Sequence, residues 1–228
     1  MTNLDVELKQ LKEETLEMFN LVSSQLIKAN NSLLNNDKEL AREVNFNEKR
    51  VNALELKIDK DCENTFALFN PLAIDLRFVL AVLKINSNLE RIGDIADGIA
   101  RYVVENPNSF DKELIRVTQL NDMFSIAVSM LEDVRASFDT EDTRLAREIF
   151  KKDDALDEIN SKANSVVEAF IIEHRDMIGQ CLHIISTIRK LERTGDQTKN
   201  IAEEIIFYLE AKVLKHLSLK TNAGSSGD

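Results

Sequence analysis

The stretch from Phe78 to Val103, FVLAVLKINSNLERIGDIADGIARYV, sets apolar residues at Phe78, Val82, Ile85, Leu89, Ile92, Ala96, Ile99 and Val103. Steps alternating between four and three mark one stripe of an α-helix packed lengthwise against other helices. A second stripe follows Cys181, Ile184, Ile188, Leu191, Gly195, Thr198, Ala202, Ile205 and Leu209. Helices of about 30 residues, rising roughly 1.5 Å per residue, would run about 45 Å. Stripes of that length must be buried against neighbours, which predicts an all-α helical bundle.

Working outward, the rest of the chain agrees. Its 228 residues hold 6 Gly and 2 Pro, too few for the many turns of a sandwich, barrel or doubly wound sheet. With 29 basic and 40 acidic residues the net charge is −11, which disfavours binding to nucleic acid phosphates. No apolar run approaches the roughly 18–20 residues of a membrane span, and the first ten residues lack the basic-then-apolar pattern of a signal peptide. The two cysteines, Cys62 and Cys181, stand far apart and in no CxxC, which argues against a disulfide framework. A soluble, cytoplasmic protein is expected, associated with membranes only through partners.

Breaks fall at Asn35-Asn36-Asp37, at Asn70-Pro71, at Asn106-Pro107-Asn108-Ser109, at Asp139-Thr140-Glu141 and near Glu173–Asp176. They predict six helices, three on each side of residues 106–109. The halves also repeat. Leu89-Glu90-Arg91-Ile92-Gly93-Asp94 returns as Leu191-Glu192-Arg193-Thr194-Gly195-Asp196, a shift of 102, with seven of fifteen positions identical over residues 89–103 and 191–205. Ala41-Arg42-Glu43-Val44 returns as Ala146-Arg147-Glu148-Ile149 at a shift of 105. Agreement of order and spacing at two places points to duplication. The expected organisation is a first three-helix repeat over residues 1–106, a second over 107–216, and a disordered tail over 217–228, whose last eight residues, Thr221–Asp228, hold no large apolar side chain.

The repeated motif carries two costs. Glu90 and Asp94 are four apart on one helix face, and Asp97 extends it; Glu192, Asp196, Asn200 and Glu203 make a similar row. Like charges at that spacing cost a few tenths of a kcal/mol. A mid-helix Gly93 or Gly195 costs about 1 kcal/mol more relative to Ala. Both recur at equivalent places, which calls for compensation: a close approach at the glycine, and a cation among the carboxylates. The bland explanation is a solvated charged face with Arg91 or Arg193 nearby. Oxygen-only ligands suit Mg²⁺, Mn²⁺, Ca²⁺ or iron. None of His174, His183 and His216 lies three residues after a Glu, so the Glu-x-x-His motif of di-iron bundles is missing. The second helix of each half offers further oxygen ligands: Glu48, Asn52 and Glu55 in one, Asp153 and Asp157 in the other.

Pro71-Leu72-Ala73-Ile74-Asp75-Leu76-Arg77-Phe78, Leu83-Lys84, the motif Leu89–Asp94 and the closing segment Leu191–Glu203 with its Asn200-Ile201-Ala202-Glu203 ending resemble the PhoU family of bacterial phosphate-signalling regulators. The resemblance covers residues 5–215. It implies two tandem three-helix bundles side by side and multinuclear metal ion clusters of iron, zinc or manganese. Carried over by position, the first cluster would draw on Glu48, Asn52, Glu90 and Asp94, with Asp97 as a substitute ligand. The second would draw on Asp153, Asp157, Glu192, Asp196 and Asn200. The first repeat has Gly98 and Arg101 where the family ending has Asn and Glu, so the first site is expected to be the poorer in ligand charge.

The function implied is a non-enzymatic adaptor that couples the phosphate ABC transporter to the phosphate sensor histidine kinase, repressing uptake and starvation signalling, and pairs as a homodimer. Neither a basic phosphate pocket nor a glycine-rich loop is present to hold free phosphate. Three alternatives stand beside it: an accessory protein of a low-affinity phosphate transporter, a metal-free structural helical module, and a metal-dependent hydrolase or oxidase. Phe66, Phe69 and Phe78, near the Pro71 turn, are expected to be core rather than contact residues.

Overall fold

A computed structural model describes residues 2–212. It contains seven α-helices and one 3₁₀ turn, and no strand among the described residues. The helices are α1 (Asn3–Asn35), α2 (Lys38–Phe69), α3 (Ala73–Glu105), α4 (Lys112–Val117), α5 (Leu120–Thr140), α6 (Thr143–Glu173) and α7 (Ile178–Glu210), with the 3₁₀ turn Arg175–Met177 before α7. The part of the expected second repeat beyond residue 212, and the expected tail, lie outside the described residues.

Local chemistry explains most boundaries. Thr2 closes a capping box with Asp5 at the start of α1. Asn36 ends α1 in the left-handed region at φ 50°, which Asn tolerates, and the Asp37 side chain caps α2 by accepting from the Leu40 N–H. Asn70 ends α2 in the same way at φ 52°. Pro71 falls two residues before α3 rather than at its first turn, with Leu72 as the capping residue. One expectation needs correction: the fourth predicted helix is two, α4 and α5. Gln119 adopts φ 54°, and the Thr118 hydroxyl bonds back to the Leu114 carbonyl. Neither residue is a sequence breaker of the Gly or Pro type, so the composition of this segment carried no sign of the interruption.

Helices α1, α3, α7 and α5 form a ring in which each packs on the next, and α1 closes onto α5. Helix α2 lies outside against α1 and α3, and α6 outside against α5 and α7. The two stripes read from the sequence are buried along their lengths, with only Phe78 and Leu209 partly accessible at the ends. Four rings tie the repeats together at one end: Phe19 of α1, Phe78 of α3, Phe138 of α5 and Tyr208 of α7, with centroids 5.5–6.3 Å apart. Each such pair contributes about 0.5–1.5 kcal/mol beyond its buried area. Phe66 also packs on the core, and Phe69 is half-buried.

Helices α3 and α7 run antiparallel. The Arg77 Nε donates to the Tyr208 carbonyl, Lys84 pairs with Glu204, and Asn200 Nδ2 donates to Asn88 Oδ1. The same progression brings Gly93 level with Gly195. Both repeated motifs therefore sit at mid-body, where Gly93 faces α2 and Gly195 faces α6 and Met130 of α5.

Candidate metal centre

Each cluster is built on a groove between two helices, and the mid-helix glycine sets the depth of that groove. A Cβ on Gly93 would stand 3.0 Å from Val51 Cγ1 and 3.5 Å from Glu48 Oε2 of α2. A Cβ on Gly195 would stand 2.6 Å from Leu156 Cδ1 and 2.8 Å from Asp153 Oδ1 of α6. The missing side chain thus lets the second helix of each repeat bring one carboxylate onto the third helix. That is the compensation the repeated glycine required.

In the first repeat, Glu48 is buried, with 9% of its surface exposed. Both of its carboxylate oxygens lie in the interior without a hydrogen-bond partner among the described residues. Burial, with Asp94, Asp97 and Glu90 nearby, pushes its pKa up to about 7. Glu90 is half-buried and raised by burial and by Asp94; Glu55 is raised by burial, Asp59 and Asp94. Asp94 and Asn52 are exposed at the groove's rim. Asp97 is buried and already satisfied: Asn45 Nδ2 donates to its Oδ1 at 2.6 Å, and Arg101 pairs with its other oxygen.

In the second repeat, Asp153 is buried and accepts from the Lys199 ammonium, which also reaches Asp196 Oδ1 at 3.2 Å. Burial lifts Asp153 while Lys199 opposes that rise. Glu192 is half-buried and raised by burial and by Asp196, Asp157 and Asp153, so these carboxylates share one neighbourhood. Asp157 is exposed. The Asn200 Nδ2 donates to Asn88 Oδ1 of α3 at 3.4 Å.

Among the described residues no three Asp, Glu, His or Cys side chains converge closely enough to hold one ion as they stand. The two repeats differ in how well they suit a cation. The first has a buried carboxylate with no hydrogen-bond partner among the described residues, with Glu90 and Asp94 nearby and Arg101 as the only counter-charge acting on it among those residues. The second has an ammonium already seated between its two central carboxylates. His174 stacks on Phe170 and His183 on Tyr102, which gives both histidines packing roles.

Two residues that shape these clusters were not singled out in the sequence, Asn45 and Lys199. The signal for Lys199 was present: at the 102-residue shift it stands opposite Asp97, with Glu203 opposite Arg101. Asn45 had none, since its role depends on how α2 crosses α3.

Comparison with known proteins agrees with this architecture. The PhoU domain model matches twice, at residues 15–103 and 120–205. The phosphate-specific transport system accessory protein PhoU of Edwardsiella tarda is 32% identical over 213 residues, spanning 93% of this chain and 87% of that protein. A PhoU homolog of the same description from Aquifex aeolicus is 33% identical over 94% of this chain and 96% of its own. The crystal structure of PhoU from Pseudomonas aeruginosa superposes with a TM-score of 0.85 at 29% identity, covering 92% of this chain and 100% of that one. The phosphate transport system regulatory protein PhoU from Streptococcus pneumoniae superposes at 0.80 with 28% identity, over 92% and 99%. With both motif copies in register and both repeats matched, this chain belongs to the PhoU family.

Proposed function

We propose that this chain is a non-catalytic accessory protein of a phosphate transport system, working in the cytoplasm as an adaptor. It would couple the phosphate ABC transporter to the phosphate sensor histidine kinase and repress both uptake and starvation signalling when phosphate is plentiful. The observation that carries the proposal is the end-to-end similarity to accessory proteins of phosphate-specific transport, over 93% of the chain in the Edwardsiella relative. No helix among the described residues is long and apolar enough to cross a membrane, so contact with the transporter would be made by docking.

The surface fits docking better than catalysis. The turn between α2 and α3 leaves Leu68 and Leu72 about three-quarters exposed, and Leu76 and Leu80 partly so. At the 102-residue shift Leu76 and Leu80 correspond to Ile178 and Leu182, which are also exposed. Apolar side chains presented at equivalent places of both repeats offer a partner, or a second copy in a homodimer, area to bury. A hard divalent ion, were one held by Glu48, Glu90 and Asp94, would supply positive charge joining α2 to α3. Those residues provide the oxygen donors that such an ion takes.

The test is capture. Tagged protein from phosphate-replete cells is expected to retain the transporter's ATP-hydrolysing subunit and the sensor kinase, and Leu68→Glu/Leu72→Glu is expected to reduce that retention. Retention of a low-affinity phosphate carrier in their place would refute the proposal and establish the alternative partner.

A further inference from the structure

The chain carries a net charge of −11, yet its arginines are not all spent on the surrounding carboxylates. Among the described residues, Arg91, Arg175, Arg189 and Arg193 are the arginines that make no hydrogen bond or ion pair. Arg175 stands in the 3₁₀ turn before α7, and the other three lie on α3 and α7. All four are exposed. Arg91 and Arg193 are the arginines of the two repeated motifs, equivalent at the 102-residue shift.

The antiparallel packing of α3 on α7 brings these charges together. Asn200 of α7 meets Asn88 of α3, and the Lys190 ammonium of α7 lies 3.2 Å from where a Cβ on Gly98 of α3 would stand. That register sets Arg91 and Arg193 about four residues apart along the seam, roughly 6 Å. Arg91 is seven residues before Gly98, and Arg193 seven before Asn200, so each leaves its helix on the stripe that meets the other helix. Arg189 follows the same face one turn before Arg193. Lys190 lies in the seam itself, where burial and the Arg101 charge lower its pKa while Asp97 opposes them. Four cations from two repeats therefore share one strip, with no carboxylate closing on any of them.

We propose that this strip along the α3–α7 seam is a docking site for an acidic segment of a partner protein, held by Arg91, Lys190, Arg189 and Arg193. The strip is about one helix wide, roughly 8–10 Å. Exposed Asp94 of α3 and half-buried Asp196 of α7 stand beside it, each three residues past a motif arginine. A narrow acidic segment lies along the cations and leaves these carboxylates in water. A flat anionic bilayer would bring its headgroups over them too, against like charge. From Arg91 to the level of Arg101 the strip runs ten residues of helix, about 15 Å, which four or five extended residues would span. The charge complementarity gives the docking role a second surface, distinct in chemistry from the exposed leucines at the α2–α3 turn.

The inference rests on the chain being a docking protein, and its test does not use the transporter. Binding of a fluorescein-labelled deca-glutamate peptide to the full chain is followed by anisotropy at low salt. The wild type is expected to bind, and to weaken as salt is added. Arg91→Gln/Arg193→Gln should weaken binding by about tenfold, the loss of two exposed charge contacts, whereas Arg175→Gln should leave it unchanged. Should the double variant fail to fold, as judged by far-UV circular dichroism, Arg189→Gln alone is expected to weaken binding severalfold.

No peptide binding by the wild type, or equal loss in Arg175→Gln, would overturn the proposal. So would phosphatidylglycerol vesicles that displace the peptide, or inorganic phosphate that displaces it better than chloride at equal ionic strength; these results would assign the strip to a membrane or to free phosphate. Capture of the transporter subunit remains a separate measurement, so the docking role can stand where the strip fails.

Discussion

Replacing Gly195 with alanine sets two effects of known size against each other. Alanine gains about 1 kcal/mol over glycine in a helix interior. Against that, the new Cβ would stand 2.6 Å from Leu156 Cδ1 and 2.8 Å from Asp153 Oδ1. Neither neighbour is free to yield, since Leu156 is fully buried and Asp153 is held by Lys199. Overpacking of this kind costs about 1–3 kcal/mol, so after the helix-propensity gain Gly195→Ala should lose up to about 2 kcal/mol net. Gly93→Ala is milder, with the closest atom, Val51 Cγ1, at 3.0 Å, and should lie near zero or slightly below it. Gly179 has nothing within 4 Å, so alanine there keeps the propensity gain and should stabilise by up to about 1 kcal/mol. Urea unfolding followed at 222 nm reads all three. The expected order of stability is Gly179→Ala, wild type, Gly93→Ala, Gly195→Ala. A Gly195→Ala protein as stable as Gly179→Ala would mean that α6 does not seat on α7 at this point, and the account of the groove would be wrong.

Glu48→Gln should stabilise the chelator-treated protein most at alkaline pH. The folded-state pKa, about 7, lies above the ordinary 4.5, so the folded protein retains a proton the unfolded chain has released. Stability from this group is present below about pH 4.5, falls as pH rises to 7, and stays low above it. The shift corresponds to at most about 3 kcal/mol. Unfolding at pH 5 and pH 8 would refute this if the gain were the same at both. Asn86→Ala should cost about 1–3 kcal/mol, because the fully buried Asn86 amide donates to the Glu55 carbonyl and to Asp59 across the α2–α3 groove. An unchanged midpoint would remove that bond from the account. Burial, with nearby Asp59 and Asp61, pushes the Cys62 thiol up to about 12, and burial raises Cys181 as well. Both should resist a thiol reagent at pH 8 in the native protein and react on unfolding; fast native labelling would contradict their burial.

Much of this molecule was legible from local pattern. The four-and-three stepping of Phe78–Val103 named the buried face of α3 residue by residue, because helical geometry converts spacing into direction without reference to the rest of the chain. Asn36 and Asp37 announced their turn and cap through side-chain chemistry acting on neighbouring backbone. The break at Thr118–Gln119 stayed hidden, as neither residue's own preference requires it. The duplicated Glu-x-x-x-Asp rows placed carboxylates on one face of each third helix by the same local rule.

Tertiary structure alone decided what those carboxylates meet. Whether Asp97 is available depends on Asn45, fifty-two residues away on another helix. Whether Asp153 is neutralised depends on Lys199, forty-six residues away. The row Glu192, Asp196, Asn200 and the row Glu90, Asp94, Asp97 look alike in sequence, yet Asn200 turns to the neighbouring repeat and Asp97 to α2. Spacing along one helix fixes the direction in which a side chain leaves it. The charge that side chain encounters is set by how closely a second helix approaches, and here that distance is set by two glycines that carry no charge at all.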